Sequence, residues 1–124
     1  MIGLRELRDA ALNLPEVEEG PMVRAAHRIA SFKVAGKSFL GVETGGVRIT
    51  VRLAKEEAKA VADEHPDACE EIWRDGKAFM GLRVDLSRMP ARRVRELIRK
   101  SWSYSAPKRL LAEYSQRTSH TQAP

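Results

Sequence analysis

One cysteine, Cys69, is all the thiol the 124 residues hold. No disulfide can therefore close within the chain, and no thiolate cluster can bind a metal. Such usage suits a reducing compartment. The sequence also lacks any apolar run near the ~20 residues needed to cross a bilayer. Its opening, MIGLRELRDA, carries Glu6 and Asp9 where the apolar part of a secretory signal would stand. The expectation is a cytoplasmic protein with no membrane association. Missing too are G-x-x-x-x-G-K-S/T, G-x-G-x-x-G after a strand, and H-E-x-x-H, the motifs of phosphate loops, dinucleotide sites and zinc-dependent hydrolysis.

What is present fits one folded unit. An apolar fraction of 43% beside 31% charged residues is ordinary for a globular domain, and this length leaves no room for a second core. The formal charge of +5 is unevenly spread: residues 1–86 hold 13 basic and 15 acidic side chains, residues 87–117 hold 9 basic and 2 acidic. Localised positive charge raises the local concentration of anionic partners.

Leu4, Leu7 and Ala11 recur at helical spacing among Arg5, Glu6, Arg8 and Asp9, predicting an amphipathic first helix over residues 2–13 that Leu14-Pro15 stops. Glu16 to Met22 then reads as a polar connector. From Ala30 the period becomes two. Phe32 and Val34, a turn at Ala35-Gly36, Phe39 and Leu40, a second turn at Thr44-Gly45-Gly46, and then Val47, Ile49, Val51 and Leu53 predict a three-stranded meander. Residues 54–64 favour a helix that Pro66 ends. Ile72 and Trp73, a turn at Asp75-Gly76, and Phe79 to Leu86 predict a hairpin, with Gly81 at a bulge or close contact. Ser87 is the candidate cap of a helix that puts Val94, Leu97, Ile98 and Trp102 on its inner side. Pro107 opens a last short helix through Tyr114. The expected domain is residues 1–114, with a loose polar tail over 115–124. Its class is α+β: an antiparallel sheet of about five strands, a meander plus a hairpin, backed by helices in the order α-β-β-β-α-β-β-α-α.

A set of residues in order along the chain strengthens this expectation. Leu14-Pro15 with Val17-Glu18-Glu19, then Phe32, Val34, Gly36-Lys37 and Phe39, then Leu86, and finally Ser101-Trp102 with Ala106-Pro107-Lys108-Arg109 together resemble the MmcQ/YjbR family. The resemblance spans about residues 4–111. It implies a CyaY-like, or double-wing, α+β domain and the DNA-binding role by which that family is usually described. It departs from the family pattern at Met80-Gly81-Leu82-Arg83-Val84, where no aromatic residue precedes the strand, and at His27, which sits too far upstream of Phe32.

The candidate chemistry is electrostatic. Arg92, Arg95 and Arg99 fall on one helical face, Arg93 and Lys100 lie to one side, and Lys108 and Arg109 extend the positive region. Guanidinium forks match phosphate oxygens. About five such contacts would give a log-log salt slope near −4.5. The competing reading is a solvated face with Glu96 as its local partner. Tyr104 is the better candidate for an exposed stacking ring, whereas Trp102 continues the core stripe. Lys37 and Arg48, near the hairpin turns, are candidate wing-tip contacts. His65 and Cys69 are four apart, but Pro66 breaks the helix between them, so neither a metal site nor a Cys-His nucleophile is expected. Glu16, Glu18 and Glu19 read as a solvated loop. A first helix with Arg5 and Arg8 beside its acids lacks the acidic ridge of frataxin-like iron carriers. The expectation is a protein without enzymatic activity, metal or cofactor, monomeric or weakly dimeric, whose partner is DNA or another polyanion. The alternative is a protein-interaction or chaperone-like adaptor using the sheet face.

Overall fold

The computed structural model describes residues 1–20, 28–43 and 45–114. Helix α1 (Leu4–Leu12) is followed by strands β1 (Val17–Gly20), β2 (Arg28–Val34), β3 (Lys37–Glu43) and β4 (Arg48–Val51). Helix α2 (Lys55–Glu64), strands β5 (Cys69–Arg74) and β6 (Ala78–Asp85), a 3-10 turn (Leu86–Arg88) and helix α3 (Ala91–Ser105) complete the long elements. Residues 108–114 form a last helix, α4. The expected tail, Thr44 of the second turn, and Pro21 to His27 lie outside the described residues.

All strand pairs are antiparallel, in the sheet order β1-β2-β3-β4-β6-β5. The meander and the hairpin of the sequence are both there, and the sheet gains one strand from the presumed connector. Val17 to Gly20 pairs with Ser31 to Val34, because Val17 can bury part of its side chain while Glu18 and Glu19 remain tolerable at an edge.

Period two explains the core. Phe32, Leu40, Ile49, Val51, Leu82 and Val84 share one face and are sealed beneath Leu7 and Ala11 of α1, Ala58 and Val61 of α2, and Val94, Leu97, Ile98 and Trp102 of α3. The other face carries Lys33, Thr50, Arg83 and Glu70. Gly81 sits at φ +149°, and a Cβ there would come within 2.7 Å of the Val51 carbonyl oxygen. Only glycine lets the strands approach so closely. Opposite it the β5–β6 register shifts between Ile72 and Trp73, the irregularity expected at this glycine.

Two expectations need correction. Ser87 does not cap α3: Asp85 accepts the Ser87 backbone N–H (2.9 Å) and hydroxyl (2.6 Å), capping the 3-10 turn, and α3 starts only after Pro90. Leu4 does not belong to the buried stripe of α1, for it is 42% exposed.

Candidate nucleic-acid interface

The C-terminal segment is fastened from inside before it can offer anything outside. Ser101, fully buried, donates its hydroxyl to the Phe39 carbonyl (2.6 Å) and accepts the Arg52 N–H (2.8 Å), pinning α3 to the point where β3 and β4 separate. Trp102, also fully buried, donates Nε1–H to the Pro15 carbonyl at 3.0 Å and stacks at a tilt against Tyr114, ring centres 5.1 Å apart. Arg109 grips Glu16 with both terminal guanidinium nitrogens, at 3.0 and 3.2 Å. Glu16 itself sits in a left-handed conformation, φ +53°, and Arg109 keeps its carboxyl below the usual carboxylate range. The loop after α1 and the segment 101–109 thus form one clasp.

Outside, the expected bare cationic face is divided. Arg93 reaches Glu64 at 2.9 Å and also Glu96. Lys100 lies 3.2 Å from Glu57 and 3.6 Å from Glu96. Arg95 is 3.4 Å from Glu6, and Arg109 is taken by Glu16. These four are corrections to an unneutralised surface: α1 and α2 bring carboxylates to α3, and the loop after Leu14-Pro15 brings one to α4. Arg92, Arg99 and Lys108 are exposed and have no partner among the described residues.

Arg99, Lys100, Ser103, Tyr104 and Tyr114, with Glu57 and Glu96, line an open groove of about 520 Å³ between α2, α3 and α4. Tyr104 is 55% exposed. A groove with a free guanidinium, an accessible phenol ring and a serine hydroxyl can meet a phosphate and the flat ring attached to it.

Lys37 and Arg48 are not brought to this surface together. They stand at opposite ends of the β3–β4 ladder, since Lys37 opens β3 whereas Arg48 lies beyond the Val42–Ile49 pair that closes it. Arg48 moreover projects from the sheet face opposite α3, alongside Asp85. Sequence reasoning missed what fills that face: Arg83 lies 3.1 Å from Glu43 on one side and 3.2 Å from Glu70 on the other. The alternation of β6 put Arg83 on the outer face, but its partners come from the register of β3 and β5.

His65 and Cys69 meet only through backbone, the His65 carbonyl accepting the Cys69 N–H at 3.0 Å. Burial pushes the Cys69 thiol up to about 11, so it stays protonated at neutral pH and is a poor nucleophile. Among the described residues no three metal-ligating side chains are grouped, and no helix is long and apolar enough to cross a membrane.

The YjbR family model matches residues 12–104. The chain belongs to the YjbR family. The matched stretch takes in the whole sheet and the Ser101-Trp102 part of the clasp, but stops before α4. Among solved structures, this YjbR chain resembles the crystal structure of Deinococcus radiodurans protein DR2400, a DUF419 domain, at 22% identity and a TM-score of 0.67 over 82% of this chain and 77% of that one. That likeness concerns the fold. No curated protein matches.

Proposed function

We propose that this YjbR-family chain is a non-catalytic binding protein whose α3–α4 surface holds the backbone of a nucleic acid. Arg92, Arg99 and Lys108 would take the phosphates, and Tyr104 would offer a ring to an unpaired base. The observation that carries this reading is the groove in which a partnerless Arg99 stands beside the exposed Tyr104. Lys100, Arg95 and Arg109 are secondary. Exposed ion pairs contribute only about 0–1 kcal/mol, so a phosphate can compete for those cations, yet each exchange returns part of its gain to the glutamate left behind.

Three cations without a partner among the described residues, rather than five, set the expected strength. The salt slope falls to about −2.7, which corresponds to a roughly 40-fold loss of affinity between about 50 and 200 mM salt. Titration of fluorescent single-stranded and duplex DNA at those two concentrations tests it. Arg92→Glu with Arg99→Glu should weaken binding to every sequence, and Tyr104→Ala should weaken the single strand by about 1–3 kcal/mol with little effect on the duplex. Absence of binding at low salt, or affinity indifferent to the double charge reversal, refutes the reading.

A further inference from the structure

Among the described residues the sheet ends in two edge strands, β1 and β5, and an edge strand left unpaired is a template for another strand. The two edges differ in charge pattern. A two-fold axis that joins two copies of an edge in antiparallel fashion must run perpendicular to the sheet and centre on a residue paired with itself. In β1, Val17-Glu18-Glu19-Gly20, centring on either interior residue sets a glutamate against its own copy, which repels. In β5, Cys69-Glu70-Glu71-Ile72-Trp73-Arg74, centring on Ile72 sets Glu70 against Arg74 twice, Ile72 against itself, and Glu71 against Trp73. Centring on Glu71 would oppose two glutamates, and centring on Trp73 would bring Glu71 to Asp75.

Neighbouring groups favour the same register. On the sheet face without helices, Glu43, Arg83 and Glu70 form a row, minus-plus-minus, across the strands, and the Arg74 of a second copy would extend it with the missing cation. On the helical side, Lys55 Nζ lies 5.1 Å from the centre of the Trp73 ring, where the Glu71 of a second copy would arrive. Trp73, on β5 itself, is 38% exposed, apolar area that a second β5 would partly cover. Among the described residues no backbone hydrogen bond leaves the outer side of residues 70–74 for another strand.

We propose that β5 is a self-association edge through which two copies of this chain pair, antiparallel about Ile72, into one continuous twelve-stranded sheet. The contact is short, so the dimer is weak and concentration-dependent. It uses no residue of the α3–α4 groove, and its success or failure is independent of nucleic-acid binding.

Sedimentation equilibrium of the full chain up to ~1 mM should show a monomer–dimer equilibrium. Arg74→Glu should weaken it at least tenfold, and Glu70→Arg combined with Arg74→Glu should restore it, a rescue that mere destabilisation would not give. Directly opposite residues in an antiparallel pair have Cα atoms about 4.5–5.5 Å apart, within disulfide range. Ile72→Cys should therefore link to itself under mild oxidation, and Glu70→Cys should link to Arg74→Cys in a mixture faster than either links to itself. Buried Cys69 contributes little background. A monomer throughout the concentration range, dimers insensitive to Arg74→Glu, or Glu70→Cys linking preferentially to itself would overturn the proposal.

Discussion

On its inward side α3 presents Ser101 and Trp102 with no surface left to water, while on its outward side Arg99 and Tyr104 stand exposed in a groove. Both sides come from the same fifteen residues, and they answer to different demands. Inward groups are fixed by what they touch: the Phe39 carbonyl, the Arg52 N–H and the Pro15 carbonyl each have one place to go. Outward groups are fixed by nothing except charge, and four of the seven cations from Arg92 to Arg109 already have carboxylate neighbours. Most of the motif that ties this chain to its family sits on the inward side or in the clasp. Those residues therefore encode how the C-terminal segment is fastened, and of Arg92, Arg99 and Lys108 only Lys108 stands among them.

The contrast is tested hardest at Trp102. Trp102→Ala removes the largest buried side chain and leaves the Pro15 carbonyl without its donor. A loss of about 3–5 kcal/mol is expected in denaturant unfolding, against no more than ~0.5 kcal/mol for Arg99→Ala one turn away. Equal costs at the two positions would mean that the inward and outward sides are not distinct in kind. Ser101→Ala is the next step down. It deletes a hydroxyl that both donates and accepts, but the Arg52 N–H keeps a direct contact with the Phe39 carbonyl at 3.2 Å. The expected cost is about 1–2 kcal/mol, read as a shift in the unfolding midpoint with unchanged denaturant dependence.

Where the sequence was legible, the reason is periodicity. Val47 to Leu53 alternates so regularly that β4 could be read directly, and Val94, Leu97, Ile98 and Trp102 marked the inner stripe of α3, including the burial of Trp102 itself. The positive φ values at Asp75-Gly76 likewise follow from a dipeptide that suits a two-residue hairpin turn, whereas at Ala35-Gly36 only the glycine does. β1 was not legible, because two consecutive glutamates in a four-residue edge strand carry no alternation and owe their conformation to pairing with β2. The candidate site was only half legible for a related reason. Helical spacing gave the direction of Arg93, Arg95 and Lys100 and offered Glu96 as a local partner, but the further glutamates that meet Arg95, Arg93 and Lys100 lie 89, 29 and 43 residues away in sequence. Local pattern can place a charge on a face. It cannot say which charge folds back over it.

The smallest expected effect concerns the outward residue that behaves most like an inward one, Arg109. Its two bonds to Glu16 fasten the loop after α1 from the solvent side, and the hydrogen bond from that guanidinium is the main reason the Glu16 carboxyl titrates below its ordinary value of 4.5. A carboxyl whose folded pKa is depressed stabilises the fold fully above its unfolded pKa. That contribution disappears as pH falls through the folded value, because the unfolded chain then takes up the proton first. Stability measured from pH 6 downward should thus decline less steeply in Glu16→Gln than in the parent chain, the difference opening only below pH 4.5. Asp85, held low by the Ser87 hydroxyl and N–H, keeps an acid-sensitive component in both proteins. Arg109→Lys should fall between them, because an ammonium supplies the charge without the two-pronged geometry. If Glu16→Gln and the parent lose stability in parallel, the clasp is held by Trp102 and Ser101 alone, and Arg109 passes to the free cations beside Arg99 and Lys108, which would steepen the salt dependence of any nucleic-acid binding by about one contact's share.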